Sequence, residues 1–262
     1  MTGLLADRVI LVAGAGAGLG RQAARAAARA GAAVVVGGRS TEANAATAEG
    51  IEATGGRATA VPADVTDPAG ARALVDAAVE RHGRLDGLVY GAFHPGGMDV
   101  PAADADLDVW RATFEVNLFG ALRVVQAAVP ALRAAGEGSV VLVGSQTARR
   151  VKPGRGDYAT SKAALVTLGR VLAQELGPDG IRVNTLVPGR MRGPALLDHY
   201  RRVAAATGTT LADQERAIAA ALSLPRMVTD EEAARSVVYL LSPLSAGVTG
   251  QTLDVNAGET FH

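Results

Sequence analysis

Tyr158 and Lys162 stand four residues apart in the run Tyr158-Ala159-Thr160-Ser161-Lys162. On a helix that spacing puts both side chains on one face. A free phenol titrates near ~10 and is a poor acid or base at neutral pH. An ammonium ~4 Å away, at an effective dielectric near ~20, favours the phenolate by roughly 4 kcal/mol before lysine desolvation is subtracted. Such a pair can give a proton to a carbonyl oxygen or take one from an alcohol. As an isolated match, Y-x-x-x-K also arises by chance as surface decoration. Lysine is scarce, however: Lys152 and Lys162 are the only two among 26 basic residues. Thirteen residues before Tyr158, Ser145 follows the apolar run Ser139–Val143, where a hydroxyl can hydrogen-bond and orient a substrate oxygen. Asn117 is an amide within an otherwise apolar helical segment. It reads either as a helix-bending or core-satisfying group, or as the holder of a water relayed to Lys162.

A second cluster concerns a nucleotide. The first apolar run ends in Ala13-Gly14-Ala15-Gly16-Ala17-Gly18-Leu19-Gly20 and a helical stretch follows. Glycines at 14, 18 and 20 fit G-x-x-x-G-x-G, and Leu19 breaks the G-x-G-x-x-G spacing. Glycines permit the tight turn and let main-chain N–H groups approach a pyrophosphate, and the helix start adds partial positive charge. The bland alternative is a tight turn in an Ala/Gly-rich chain. The second apolar run, Val34-Val35-Val36, continues as Gly37-Gly38-Arg39-Ser40-Thr41. No carboxylate stands there to take ribose hydroxyls, as NAD-binding folds require. Arg39 instead offers a forked, permanent cation, with Ser40 beside it, which suits a 2′-phosphate. NADPH/NADP+ is therefore expected over NADH; the competing reading of Arg39 is a surface arginine in an arginine-rich chain. Asp64, followed by Val65, could accept from an adenine amino group or simply cap a helix.

These residues need a frame. Strands are expected at Arg8–Val12, Ala33–Val36, Ala58–Val61, Gly87–Val89, Ser139–Val143, Arg182–Leu186 and Thr252–Val255. Most are continuous apolar runs, as strands covered on both faces should be. Helical stretches lie between them at Leu19–Arg29, Glu42–Ala53, Ala69–Arg81, Leu107–Ala134, Tyr158–Leu176 and Glu231–Leu241, the last with Asp230 as its N-cap. The alternation predicts an α/β, single-domain, doubly wound Rossmann fold: a parallel sheet with helices on both faces. Residues 190–227 fall outside the rhythm, helical in pattern and without a strand, and form a candidate substrate lid within the 1–262 domain.

Composition narrows the function classes. With 26 Lys+Arg against 26 Asp+Glu the net charge is zero, which gives no case for nucleic acid. There are no cysteines, so disulfides, thiol nucleophiles and thiolate metal sites are excluded. Four scattered histidines, His82, His94, His199 and His262, make no metal set, and no metal is expected. No targeting or membrane-spanning run is found, so a cytoplasmic location and no membrane partner are expected.

Taken together, Gly14, Gly18 and Gly20, Asp64, Asn117, Ser145, Tyr158 with Lys162, Pro188-Gly189 and Val255-Asn256-Ala257-Gly258 resemble the classical short-chain dehydrogenases/reductases over essentially the whole chain. Each motif is modest alone; their order and spacing are highly specific. The resemblance implies a seven-stranded sheet and NAD(P)-dependent hydride transfer at a secondary alcohol or ketone. It also implies a homotetramer or homodimer. Departures exist. Tyr90-Gly91-Ala92-Phe93 replaces the family's Asn-Asn-Ala-Gly and is expected to place an aromatic near the nicotinamide or substrate face. Ala13 replaces a usual Thr, and Gly193 stands where a Thr often binds the nicotinamide carboxamide.

The expected function is an NADP(H)-dependent ketone reductase or the reverse alcohol dehydrogenase. A lyase resembling halohydrin dehalogenases is disfavoured by Lys162 and the intact glycines. A non-catalytic dinucleotide-binding sensor or scaffold is the other alternative, favoured only by the altered Tyr90–Phe93 segment. Phe93, His94, Gln146, Met191, Leu196, Leu197 and Tyr200 are candidate pocket residues for a largely apolar small molecule. Arg149, Arg150, Arg190 and Arg192 instead raise the possibility of an anionic carrier.

Overall fold

The structure, a computed structural model, describes residues 3–261; His262 lies outside the described residues. In chain order the elements are β1 (Val9–Ala13), α1 (Leu19–Arg29), β2 (Ala33–Gly38), α2 (Thr41–Glu52), β3 (Arg57–Pro62), α3 (Pro68–His82), β4 (Gly87–Tyr90), α4 (Leu107–Phe114), α5 (Ala121–Ala134), β5 (Gly138–Val143), α6 (Gly156–Leu176), β6 (Ile181–Pro188), β7 (Met191–Arg192), α7 (Pro194–Thr207), α8 (Leu211–Ala219), β8 (Val228–Thr229), α9 (Asp230–Leu241) and β9 (Thr252–Val255). Seven strands form one sheet in the order β3-β2-β1-β4-β5-β6-β9, every pair parallel.

Strand β1 shows why the sheet is covered twice. Its side chains alternate faces with period two. Val9, Leu11 and Ala13 join one core with α3, α5 and α6, where Leu74, Val124 and Leu165 are buried. Ile10 and Val12 join the other core with α1 and α9, where Ala23, Ala27, Val237 and Leu241 are buried. Each fully buried Val, Leu or Ile contributes about 1.5–3 kcal/mol. The alanine-rich inner face of α1 offers little bulk between that helix and α9, so the pair packs closely.

The chain winds outward from β1 to β3, then returns across β1 to β4. That reversal opens a crevice at the carboxyl ends of β1 and β4, the place where open α/β sheets receive ligands. Gly14 leaves β1 there and Gly91 leaves β4 there, the Gly91 amide donating to the Ala13 carbonyl at 2.8 Å.

Three expectations are corrected. The helical run Leu107–Ala134 is broken by a π-helical stretch, Glu115–Gly120, between α4 and α5. Residues 190–227 do contain a strand: β7 pairs in parallel with β8, clasping both ends of the α7–α8 excursion. Asp230 is not the cap of α9. Thr229 is, in a capping box with Glu232, and Asp230 opens the first turn. Among the described residues no helix is long and apolar enough to cross a membrane.

Candidate functional site

The glycine turn is built for close main-chain approach. Gly14 has φ +96°, and a Cβ there would lie 2.2 Å from the Ala92 nitrogen. A Cβ at Gly20 would lie 2.0 Å from the Gly14 carbonyl oxygen. Gly18 caps α1 at φ 64° with no side-chain hydrogen bond, and the first turn of α1 holds no acid. The opening N–H groups of α1, Leu19 among them, are thus left to an external acceptor, and the residues fit a pyrophosphate. Arg21 donates Nε and Nη2 to the Gly16 carbonyl at 3.1 and 2.7 Å, which pins the turn. Sequence spacing carried no signal for that bond.

At the end of β2, Arg39 is exposed and forms no ion pair among the described residues. Ser40 is the N-cap of α2, its hydroxyl accepting from the Ala43 amide at 3.1 Å. Asn44, buried, donates to the Gly38 carbonyl at 2.7 Å and so fixes the segment that presents Arg39. Asp64 Oδ1 accepts from the Thr66 amide and hydroxyl. Those two bonds, with a smaller pull from Arg39, hold its carboxyl below the usual range. Val65, next to it, is buried against the α3–α5–α6 core.

The first turn of α6 is locked from below. Asp157 is buried; its Oδ2 accepts from the Gly97 amide at 2.7 Å and the Thr113 hydroxyl at 3.0 Å. It ties the β4–α4 loop, α4 and α6 together beneath Tyr158. Asn117 completes the lock. Its Oδ1 accepts from the His94 amide at 2.7 Å, and its Nδ2 donates to the His94 carbonyl at 3.1 Å and to Ser161 Oγ at 2.9 Å. Ser161 donates in turn to the Tyr158 carbonyl at 2.9 Å. Asn117 makes no direct hydrogen bond to Lys162. Asp157, Thr113 and Ser161 went unnoticed in the sequence because nothing local marks a tertiary tie.

Above this base sit the reactive groups. Burial pushes the Tyr158 phenol up; the Ser145 hydroxyl and the Arg155 guanidinium pull it down. Arg155 lies 5.0 Å from the Tyr158 ring centre and Lys162 Nζ lies 5.8 Å from it. The pull that opposes burial at the phenol comes from Ser145 and Arg155. Lys162 is 2% exposed, its Nζ donates to the Val143 carbonyl at 2.8 Å, and burial pushes its titration down to about 7. Ser145 Oγ also accepts from the Thr147 hydroxyl at 3.0 Å.

The expected pocket residues divide. Phe93 is exposed and meets Tyr158 edge-on, ring centres 6.5 Å apart. His94 Nδ1 accepts from the Gly96 amide at 3.1 Å, beside the Thr113 hydroxyl at 3.2 Å, and so braces its own loop. Gln146 follows Ser145 with a buried, unpartnered Oε1. Gly189 lies opposite, where a Cβ would meet Gln146 Oε1 at 3.3 Å and Asn256 Cβ at 2.7 Å. Pro188 ends β6 in register with Val255. Met191, Leu196 and Tyr200 are half-buried against the α1–α9 core. The four arginines considered for an anionic carrier are all paired: Arg149 with Asp254, Arg150 and Arg190 with Glu259, Arg192 with Glu215. Of the two aromatics in the altered Tyr90–Phe93 segment, Tyr90 is fully buried in the α3–α5–α6 core and Phe93 is the one beside Tyr158.

Residues 14–260 match a family model described as enoyl-(acyl carrier protein) reductase. An A-factor type gamma-butyrolactone 1′-reductase of Streptomyces virginiae is 34% identical over 99% of this chain and 98% of its own. A single-substitution variant of actinorhodin polyketide ketoreductase with NADPH superposes with a TM-score of 0.90 at 30% identity, each chain fully covered. A 7α-hydroxysteroid dehydrogenase in complex with NADH and 7-oxo glycochenodeoxycholic acid gives 0.88 at 30% identity, covering 98% of this chain and 96% of its own.

Proposed function

The chain belongs to the classical short-chain dehydrogenase/reductase family and is a hydride-transferring oxidoreductase, and from that premise we propose that it reduces a ketone with NADPH, or oxidises the corresponding secondary alcohol with NADP+, using Tyr158 as general acid/base. The observation that carries the reading is the Tyr158 phenol held among Ser145, Arg155 and Lys162, in a chain whose glycine turn leaves no room for a Cβ at Gly14 or Gly20.

The nicotinamide exchanges the hydride when bound; the chain does the rest. Gly14, Gly18, Leu19 and Gly20 would receive the pyrophosphate, and Pro188 and Gly189 would border the nicotinamide end. Arg39, exposed at a β2 terminus without a carboxylate, would take the 2′-phosphate. Asp64 and Val65 would border the adenine. Ser145 orients the substrate oxygen by hydrogen bonding. Tyr158 gives that oxygen a proton in reduction and removes it in oxidation. Lys162, pushed down to about 7 by burial, sits near the phenol with its Nζ on the Val143 carbonyl and supplies positive charge there when protonated. Asn117 and Asp157 hold the loop and helix that carry these groups.

The substrate is proposed to be a small, largely apolar carbonyl compound bounded by Phe93, His94, Gln146, Met191, Leu196 and Tyr200. Pairing of all four nearby arginines weighs against an anionic carrier. Core placement of Tyr90 weighs against the sensor reading, which rested only on the altered Tyr90–Phe93 segment. A homodimer or homotetramer in the cytoplasm belongs to the same proposal; exposed Leu107 and Phe119 beside Trp110 and Phe114 offer an apolar face for assembly. Cyclic ketones, aryl ketones and 3-oxoacyl thioesters assayed with NADPH and with NADH test the reading. Turnover of none of them with either cofactor would reject it, and equal or better kcat/KM with NADH would reject the cofactor preference.

A further inference from the structure

Asp230 is the buried acid that the reaction does not use. It is 9% exposed, and no hydrogen bond or ion pair reaches its carboxyl among the described residues. Three helices begin around it. It stands in the first turn of α9. A Cβ at Gly18, the cap of α1, would lie 3.4 Å from Asp230 Oδ2. A Cβ at Gly193, the cap of α7, would lie 2.5 Å from the same oxygen and 2.7 Å from Oδ1. A side chain at 193 would displace the carboxyl group from this position. The space beside the glycine turn that residue 193 leaves empty is filled by an acid from α9.

Helix starts carry partial positive charge and favour an anion. Burial opposes the charged form, and burial prevails: the Asp230 carboxyl titrates above the ordinary carboxylate range. Several charged groups on the surrounding elements are engaged elsewhere. Arg21 of α1 holds the Gly16 carbonyl. Arg192 of β7 pairs with Glu215 of α8. Glu231 pairs with Arg29 and Arg235, and Glu232 with Arg226. None of them neutralises Asp230.

We infer that Asp230 is a proton-linked cofactor-binding residue, whose carboxyl group flanks the helix starts that receive the dinucleotide's pyrophosphate and must carry a proton for tight binding. The inference rests on the dinucleotide reading above. Protonated, the carboxyl donates a hydrogen bond toward a phosphate oxygen. Ionised, it sets like charge against like charge in a low-dielectric cleft. Binding then takes up a proton wherever Asp230 is ionised in the free protein, and affinity falls as pH rises through that range.

Calorimetry of NADP+ and NAD+ binding between pH 5 and 8, in buffer pairs of different ionisation enthalpy, reads both affinity and proton uptake. Wild type is expected to take up a proton and to lose affinity by up to ~10-fold per pH unit, the limit for one linked proton. Asp230→Asn should lose that uptake and bind more tightly than wild type at pH 8. The 2′-phosphate has its own ionisation near ~6; it is common to both proteins and absent from NAD+. Thermal melts establish that the variant folds, and Asp230→Ser replaces it if it does not. Equal proton uptake in wild type and variant would overturn the inference. So would weaker binding by the variant at every pH, which would make the carboxylate a favourable acceptor. Failure of either protein to bind any dinucleotide at any pH would overturn the cofactor reading instead.

Discussion

The Tyr90 hydroxyl donates a 2.6 Å hydrogen bond to the Val116 carbonyl, joining the end of β4 to the π-helical stretch that carries Asn117. A π-turn leaves carbonyls without their usual i+4 partner, and a buried unpaired carbonyl is costly. Tyr90 supplies that partner. Burial pushes its phenol well above the ordinary tyrosine range, so it remains a donor at every working pH. Gly120 makes the room, since a Cβ there would lie 2.7 Å from the Tyr90 hydroxyl.

Tyr90→Phe removes the donor and keeps the ring. A loss of about 1–3 kcal/mol in unfolding free energy is expected, the penalty for stranding a buried acceptor. Because Asn117 is the next residue, KM for the ketone should rise as the His94 loop loosens, with NADPH affinity unchanged. Gly120→Ala should destabilise wild type by overpacking but cost less in the Tyr90→Phe background. Strict additivity in that double-mutant cycle would show that the two positions do not share the space.

Catalysis should depend on the Tyr158 proton. Tyr158→Phe keeps the edge contact with Phe93 and removes the acid. A fall in kcat of at least ~10²-fold is expected, the lower end for lost general acid catalysis, with dinucleotide binding retained. Ser145→Ala should act in the same direction. Lys162→Arg should not rescue, because a broad guanidinium fork cannot fill a compact ammonium site. Near-normal ketone turnover by Tyr158→Phe would remove the residue from the mechanism.

How far the sequence carried these groups depends on the range of the signal. The five inner strands of the main sheet were legible as apolar runs covered on both faces, while the edge strands β3 and β9 are at most half-buried and were read from their place in the alternation. The clasp β7–β8 was not, since two-residue strands have no periodicity to read. The π-turn hid inside an unbroken helical pattern. Within the altered Tyr90–Phe93 segment strand alternation decides which aromatic faces inward: Leu88 and Tyr90 share a face and a core, which leaves Phe93 beside Tyr158. The Ser145, Tyr158 and Lys162 trio was readable as a family pattern, while the ties through Asp157 and Ser161, and the approach of Asp230 to Gly18 and Gly193, exist only after folding.

Arg39 sets the expected cofactor preference. It is exposed, free of ion pairs among the described residues, and held in place through Asn44 and the Gly38 carbonyl. Arg39→Asp exchanges a cation for an anion beside the 2′-phosphate and should reverse the ratio of kcat/KM for NADPH and NADH. An unchanged ratio would move 2′-phosphate recognition to another residue.

Lys162 should leave a signature in stability. Burial holds it at about 7 in the folded protein, against ~10.4 in an unfolded chain. Between those values the unfolded chain holds the extra proton. Stability should therefore rise with pH across that window, at up to ~1.4 kcal/mol per unit, with the full penalty present below it. Lys162→Met has no ammonium to bury. Urea unfolding at pH 6, 7, 8 and 9 should show it gaining most over wild type at pH 6, with the difference shrinking as pH rises. A difference independent of pH would mean that Lys162 keeps its charge at ordinary strength inside the protein.

The α7–α8 excursion is proposed as a lid, and its packing suits one. Ile218 and Leu222 are buried against the α1–α9 core, but Leu196, Leu197, Val203 and Leu211 are only half-buried. Gly193 and Gly208 bound α7, Gly208 in the left-handed region at φ 66°. The β7–β8 clasp fixes the base, so motion is confined to α7 and the first turn of α8. Closing that helix over the carboxyl ends of the strands would exclude water from the hydride path. Hydrogen exchange should show fast α7 amides in the free protein, slowed when NADP+ and an alcohol substrate are both bound. The amides of the clasp should stay slow throughout. Slow exchange along α7 in the free protein, unchanged by ligands, would make the segment fixed structure and return substrate selection to the Phe93–His94 loop and Gln146.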